Sequence, residues 1–299
     1  MNKYINKGEK SMKVAIMTDS CCDLPINFIK ENNIELMSLV VNIKGKDVID
    51  DLGQTIESKE FYNTLRAGEL TSTACVNTFD YIESFKKHIR NGESIIYIGF
   101  SSALSGCINS ASVARERVLE EYEDADITII DSKSASLGLG LIVYYVCDLL
   151  NRGYTKEEII EWVEENKLKV NQWFTVDDLN HLKRGGRLSQ TSAVIGSILQ
   201  VKPIMNINRE GKLIPTSKVK GRKKSIKSLA EKVKEKIIDS ENQIIFISHG
   251  DCIEEAEILK QLILEENKVK DVIINTVGPV IGSHSGPGTL AVFFIGEER

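Results

Sequence analysis

Val14-Ala15-Ile16-Met17-Thr18-Asp19-Ser20 is the stretch on which the fold turns. Four apolar residues in a row, without polar alternation, read as a strand covered on both faces. The run stops in three polar residues, and Asp23-Leu24-Pro25 then opens a helix through Ile29. The same order recurs. Ile95-Ile96-Tyr97-Ile98 ends in Gly99-Phe100-Ser101-Ser102, and Ile127-Thr128-Ile129-Ile130 ends in Asp131-Ser132, followed by an apolar helix from Leu137 to Leu150. Strand followed by helix, repeated, predicts a parallel sheet with helices on both sides. Ligands of such sheets sit at the carboxyl ends of the strands. Three polar strand ends therefore point to a shared crevice, although any one of them alone is equally an N-cap for the next helix.

Between these units the pattern predicts a strand from Glu35 to Val41, a helix capped by Ser58 with Phe61, Tyr62 and Leu65 on one face, and a helix with Phe79, Ile82, Phe85 and Ile89 inward. Thr155-Lys156-Glu157-Glu158 is a capping box. After it the texture changes. A strand over 170–176 is followed by strands Pro203–Ile207 and Leu213–Val219, which flank the hairpin signal Asn208-Arg209-Glu210-Gly211. Ile226 to Ile237 space as a helix face, Ile244–Ile247 and Val272–Thr276 as strands around a helix over Glu254–Glu266, and Ala291–Ile295 as a last strand. The expected organisation is α/β in two domains: a polar, disordered tail over 1–11, an N-terminal domain over 12–168 with a mostly parallel sheet, and a C-terminal α+β domain over 169–299 with a mixed sheet.

The 299 residues carry a net charge of -5, which excludes non-specific nucleic-acid binding by the whole surface. No apolar run reaches the ~18 residues of a membrane span, and Met1 to Ser11 lacks the apolar stretch of a secretory signal. The six cysteines form no C-x-x-C pair and read as free thiols of a cytoplasmic protein. The four histidines make no metal-ligand spacing, so neither a metal nor a cofactor is expected.

Five segments carry candidate chemistry. Ser101-Ser102-Ala103-Leu104-Ser105-Gly106 places three hydroxyls at a helix start, where free N–H groups favour an anion. Thr71-Ser72-Thr73-Ala74-Cys75 reads as a hydroxyl-rich loop between helices. Leu182-Lys183-Arg184-Gly185-Gly186-Arg187 holds two arginines on a turn, suited to a carboxylate or phosphate. A basic run, including Lys218, Lys220, Arg222, Lys223 and Lys224, contains no acid between Glu210 and Glu231; it is either a solvated face or a dock for an anionic partner. Gly278-Pro279-Val280-Ile281-Gly282-Ser283-His284-Ser285-Gly286-Pro287-Gly288 reads as a stiff loop, not a regular helix, presenting an imidazole and two hydroxyls.

These segments, in this order, resemble the DegV family of bacterial fatty-acid-binding proteins. The motifs that carry the resemblance are Thr18-Asp19-Ser20, Thr71 to Cys75, Ser101 to Gly106, Leu182 to Arg187, Lys202-Pro203-Ile204 and Gly278 to Gly288. The family pattern has Pro-Ser where this chain has Ala74-Cys75, threonine at Cys107, and threonines at Ser283 and Ser285. The resemblance implies a two-domain carrier that holds one long-chain fatty acid between its domains, has no catalysis of its own, and presents the acid to a fatty acid kinase. By the same resemblance, Thr71 or Ser72, Ser102 or Ser105, and His284 would hold the carboxylate, and Arg187 and Arg222 would face the partner or an acyl-phosphate. A serine/histidine hydrolase or small phosphotransferase built on Ser101–Ser105 and His284 is the alternative; no nucleophile elbow and no evident acid partner for His284 weigh against it.

Overall fold

A computed structural model describes residues 13–188 and 201–299. The expected tail over 1–11 lies outside the described residues. In the first half, β1 (Lys13–Asp19), β2 (Glu35–Met37), β6 (Glu93–Gly99) and β7 (Ile127–Asp131) form a wholly parallel sheet in the order β2-β1-β6-β7. Its crossovers include α1 (Ile26–Glu31), α3 (Thr78–Arg90) and α4 (Cys107–Leu119). The run that opened the sequence reading is the second strand in from one edge, and it is buried from Ala15 to Asp19.

A second sheet in this half was not foreseen. The predicted strand over 35–41 is two strands. Ser38 and Leu39 break it, β2 joins the parallel sheet, and β3 (Val40–Ile43) turns away to pair antiparallel with β4 (Lys46–Ile49) and β5 (Thr71–Ala74). Lys44-Gly45 makes the β3–β4 turn, both at positive φ. The hydroxyl-rich segment read as a loop is therefore β5. Its threonines suit a half-buried strand, but with only four residues the alternation was too short to read. Two smaller corrections concern helices. Ser58 is the first helical residue of α2 (Ser58–Arg66), with Glu57 at the cap position, and Phe79 faces solvent while Tyr81 and Phe85 fill the core side of α3.

The second half is one six-stranded mixed sheet in the order β10-β9-β8-β13-β11-β12. It comprises β8 (Val170–Thr175), β9 (Val201–Ile207), β10 (Leu213–Lys220), β11 (Ile244–His249), β12 (Asp271–Thr276) and β13 (Leu290–Ile295). Only β11 and β12 run parallel. One face is covered by α8 (Arg222–Lys236) and α9 (Ile253–Glu266) around Leu229, Val233, Leu259 and Ile263. The other face meets α5 (Leu137–Asn151), which belongs by sequence to the first half; Tyr144 stands edge-on to Phe246, ring centres 5.6 Å apart. The remaining helices are α6 (Lys156–Asn166), held by the capping box as expected, and α7 (Asn180–Arg184).

The exchange is reciprocal. Residues Pro279–Ser285 of the closing motif form helix α10, which packs against α2, β3 and β5 of the first half. This overturns the reading of that motif as a non-helical loop. Pro279 sits in the first helical turn, where a missing N–H costs nothing. Gly282 is needed by space: a Cβ there would come within 2.7 Å of both Phe61 and the Tyr62 hydroxyl oxygen.

Buried carboxyls hold α10 in place. Asp23 accepts the Gly278 N–H at 2.9 Å, and Asp50 accepts the Val280 N–H at 3.3 Å. The Tyr62 hydroxyl donates to Val277 O at 2.9 Å. Asp23 also accepts the Ser136 hydroxyl at the start of α5, and Ser136 bonds Ser248 at the end of β11 (3.0 Å). Burial raises the Asp23 carboxyl well above its ordinary value and raises Asp50 from 3.8 to about 7.

The sign of the consequence is fixed. A carboxyl raised from 3.8 to about 7 keeps its proton in the folded chain while the unfolded chain has lost it. Its contribution to stability is full below about pH 4 and is lost as pH rises to about 7. In urea titrations, the stability of the native chain minus that of Asp50→Asn should therefore fall between pH 4 and 7 and level off above. A pH-independent difference would show that Asp50 titrates normally. The subtraction removes His284, whose contribution runs the opposite way.

Candidate functional site

A partly open cavity of about 380 Å³ lies between the two halves. Its walls are mainly apolar: Leu39, Phe100 and Leu104 from the first half, Phe174, Ile207 and Phe293 from the second. A polar cleft of about 340 Å³ adjoins it, lined by Thr71, Ser72, His181, Arg184 and Ser283. Thr73, Arg187 and His284 line both spaces, so they mark where the greasy cavity meets the polar cleft. Among the described residues no cluster could hold a metal ion.

The centre of this junction is a contact between Thr73 Oγ1 and His284 Nε2 at 2.8 Å. Thr73 points inward because it sits on β5 opposite Val41 of β3. His284 is brought by the last turn of α10. The other ring nitrogen, Nδ1, is buried without a hydrogen-bond partner. It rests on Gly185, where a Cβ would stand 2.2 Å from it. The first glycine of the arginine turn is thus a seat for the imidazole, and the second, Gly186, turns the chain at φ +68. Arg187 is then fixed by its own N–H groups, donated to Leu104 O (3.1 Å) and Gly185 O (2.6 Å). Burial, with the Arg187 charge adding to it, pushes His284 down to about 4, so the ring is neutral at neutral pH.

The sequence-predicted residues separate here. His284, Ser105 and Arg187 line the cavity. Thr71 and Ser72 line only the adjoining cleft, and the hydroxyl that reaches the imidazole is Thr73, which the sequence reading did not name as a ligand. On a strand, residues 71 and 73 share a face and 72 opposes them, a distinction invisible while the segment passed for a loop. The three serines of the helix-start motif go three ways. Ser101 is buried and donates to Gly211 O at 2.9 Å, tying the β9–β10 turn to the first half. Ser102 is exposed, accepts from Lys133 Nζ at 3.1 Å, and is not in the cavity wall. Ser105 faces the cavity and donates to Cys107 Sγ at 3.2 Å. Arg222 is not in the cavity wall and is engaged within the chain: its Nε donates to Glu255 at 2.9 Å, and its guanidinium lies 3.6 Å from Asp177.

Comparison with known proteins places the chain in a family. A family model described as uncharacterised protein, DegV family, covers residues 13–297. The chain belongs to the DegV family. A DegV domain-containing protein of Clostridium perfringens is 48% identical over 287 residues, spanning 96% of this chain and 99% of its own. Among solved structures, the Bacillus subtilis protein DegV, described as a fatty acid binding protein, is 29% identical, with TM-score 0.83 over 96% of this chain and 100% of its own. A DegV family protein of Ruminococcus gnavus, refined with vaccenic acid, is 26% identical, with TM-score 0.85 over 95% of this chain and 100% of its own.

The geometry makes a checkable statement about this DegV chain. In an NMR titration the His284 imidazole should stay neutral until about pH 4. Arg187→Met should move its pKa upward, because a positive neighbour is removed, though not fully to 6.5, because burial is the larger cause. A native His284 that titrates near 6.5 would mean the ring is solvated and the junction open.

Proposed function

We propose that this chain is a carrier that binds one long-chain fatty acid, its tail in the cavity between the halves and its carboxylate at the junction of Thr73, His284, Arg187 and Ser105. The boundary between the two domains, near residue 168, is part of the same reading. The observation that carries it is the union of an apolar chamber with a small polar mouth made from both halves. Each CH₂ moved from water into such a chamber contributes about 0.8 kcal/mol. The carboxylate end needs donors, or its desolvation opposes binding by several kcal/mol.

The neutral imidazole explains how those donors are arranged. Nδ1 lies against Gly185 with no acceptor near it, so the single ring proton belongs on Nε2 and is donated to Thr73 Oγ1. The Thr73 hydroxyl hydrogen is then free to point at a carboxylate. Ser105 can swing its hydroxyl from the Cys107 sulfur, a weak acceptor, to the same anion. Arg187 supplies the positive charge. Thr71, Ser72 and Arg184, in the cleft just beyond, stand where a phosphoryl group on an activated carboxylate would emerge, which is how a fatty acid kinase would meet the bound acid. The exposed lysines of the basic run, Lys220, Lys223 and Lys224, would serve such a cytoplasmic partner better than Arg222, which is engaged with Glu255.

A hydrolase on the same residues lacks its parts. The orienting position of a catalytic histidine is Nδ1, and here Nδ1 has no carboxylate partner. Of the serine cluster, Ser101 and Ser102 are not in the cavity wall, and Ser105 donates to Cys107 Sγ and not to the imidazole.

Denaturing mass spectrometry of the purified chain should release one fatty acid per protein. Removing one hydrogen bond to a carboxylate costs about 1.5–3 kcal/mol, so Thr73→Val and His284→Ala should each weaken uptake of a delipidated chain about 10- to 100-fold. Ser102→Ala should leave it unchanged. A delipidated chain that takes up no fatty acid, or one that turns over an acyl ester through His284, overturns the carrier reading.

A further inference from the structure

Two of the six cysteines lie close together beside the cavity. Cys75 follows β5 directly, is exposed to solvent, and lines the cavity wall. Cys107 is the first residue of α4 and is fully buried. Each is in touch with the other's chain neighbour. Cys107 lies beside the backbone of Val76, the residue after Cys75. The Cys75 sulfur stands 3.5 Å from the place of a Cβ on Gly106, the residue before Cys107. Neither cysteine is free to drift: the strand that ends at Ala74 pairs with β3, and Cys107 is anchored additionally by the Ser105 hydroxyl.

We propose that Cys75 and Cys107 are an oxidisable dithiol that closes into a disulfide across the cavity mouth, with a peroxide as oxidant. The Cys75 thiolate attacks one oxygen of the peroxide; the O–O bond breaks, hydroxide leaves, and Cys75 becomes a sulfenic acid. The Cys107 sulfur, giving up its proton, then attacks the Cys75 sulfur; the S–O bond breaks and water leaves. The two thiols are oxidised by two electrons and the peroxide is reduced by two. The division of labour follows exposure: the accessible thiol meets the oxidant and the buried neighbour resolves it. Cys21, fully buried at the end of β1, is the one competitor near Cys107.

The bond would tie β5, which bears Thr73, to the segment that bears Ser105. These are two sides of the mouth through which a fatty acid passes, so the oxidised chain exchanges its ligand slowly. This consequence rests on the carrier reading; the dithiol itself does not.

The test treats the full chain with hydrogen peroxide, alkylates the remaining thiols and maps peptides without reduction. The expected product is a 75–107 cross-link, reversed by a thiol reductant and absent in Cys75→Ser and in Cys107→Ser. Recovery of Cys75 as a sulfinic acid with Cys107 still a thiol, or a 21–107 link, overturns the proposal. Release of a preloaded fluorescent fatty acid should be about tenfold slower after oxidation, and unaffected in Cys75→Ser. Unchanged release in a cross-linked chain overturns the gating step alone. An untreated chain that binds no fatty acid overturns the carrier reading and leaves the cross-link result standing.

Discussion

Helix α10 belongs to the second half by sequence and to the first half by contact, and the site exists because of that misplacement. A helix of seven residues with proline at its start and glycine in its middle has little intrinsic stability. It is held by what surrounds it. Two buried carboxyls accept N–H groups at its start, aromatic side chains of α2 close over Gly282, and β5 receives His284. Every one of those partners lies more than 200 residues away in the chain. The imidazole is thus placed by the docking of the halves, and the cavity beneath it is the space their docking leaves.

The same constraint accounts for the buried acids. Asp19, Asp23 and Asp50 are each buried among N–H and O–H donors, and burial raises all three. Asp19 accepts Phe100 N–H at 2.7 Å and Tyr97 hydroxyl at 3.0 Å, which sets the strand end from which Ser101 departs. Asp23 gathers the starts of α5 and α10. Carboxyls with several acceptor sites can join more segments than amides or hydroxyls can, and a protonated one does so without an isolated charge in the core.

Long elements were legible in the sequence and short ones were not. The parallel strands, the hairpin around Gly211, the capping box of α6 and the apolar helix α5 all declare themselves locally, through runs, turns or caps. What failed spans no more than two periods of its own pattern. β5 has four residues, and its misreading shifted the proposed ligand from Thr73 to its neighbours. Helix α10 has two turns, and its composition argues against it until Asp23 and Asp50 are brought from elsewhere. Among the serines 101, 102 and 105, the choice of which hydroxyl faces the cavity depended on which neighbours take up the others: Gly211 O takes Ser101, Lys133 takes Ser102. No spacing within the motif contains that information. His284 and Arg187 were found because glycines flank them, and two of those glycines, Gly185 and Gly282, turn out to be close-approach points themselves.

A neutral histidine at the mouth of an apolar chamber suits retention better than turnover. Catalysis by an imidazole requires it to gain and lose a proton near neutral pH, with a second group to steady the charged form. His284 has the reverse setting: burial and Arg187 both oppose its protonation, and Nδ1 faces a glycine. In the proposed tautomer such a ring is a fixed donor to Thr73, whose hydroxyl then keeps one direction across the neutral range. In the carrier reading the positive charge that a carboxylate demands comes from Arg187, tethered by two carbonyls. On that reading orientation and charge fall to different residues, so an acid would be held firmly at the junction while its carboxyl oxygen still faces the adjoining cleft.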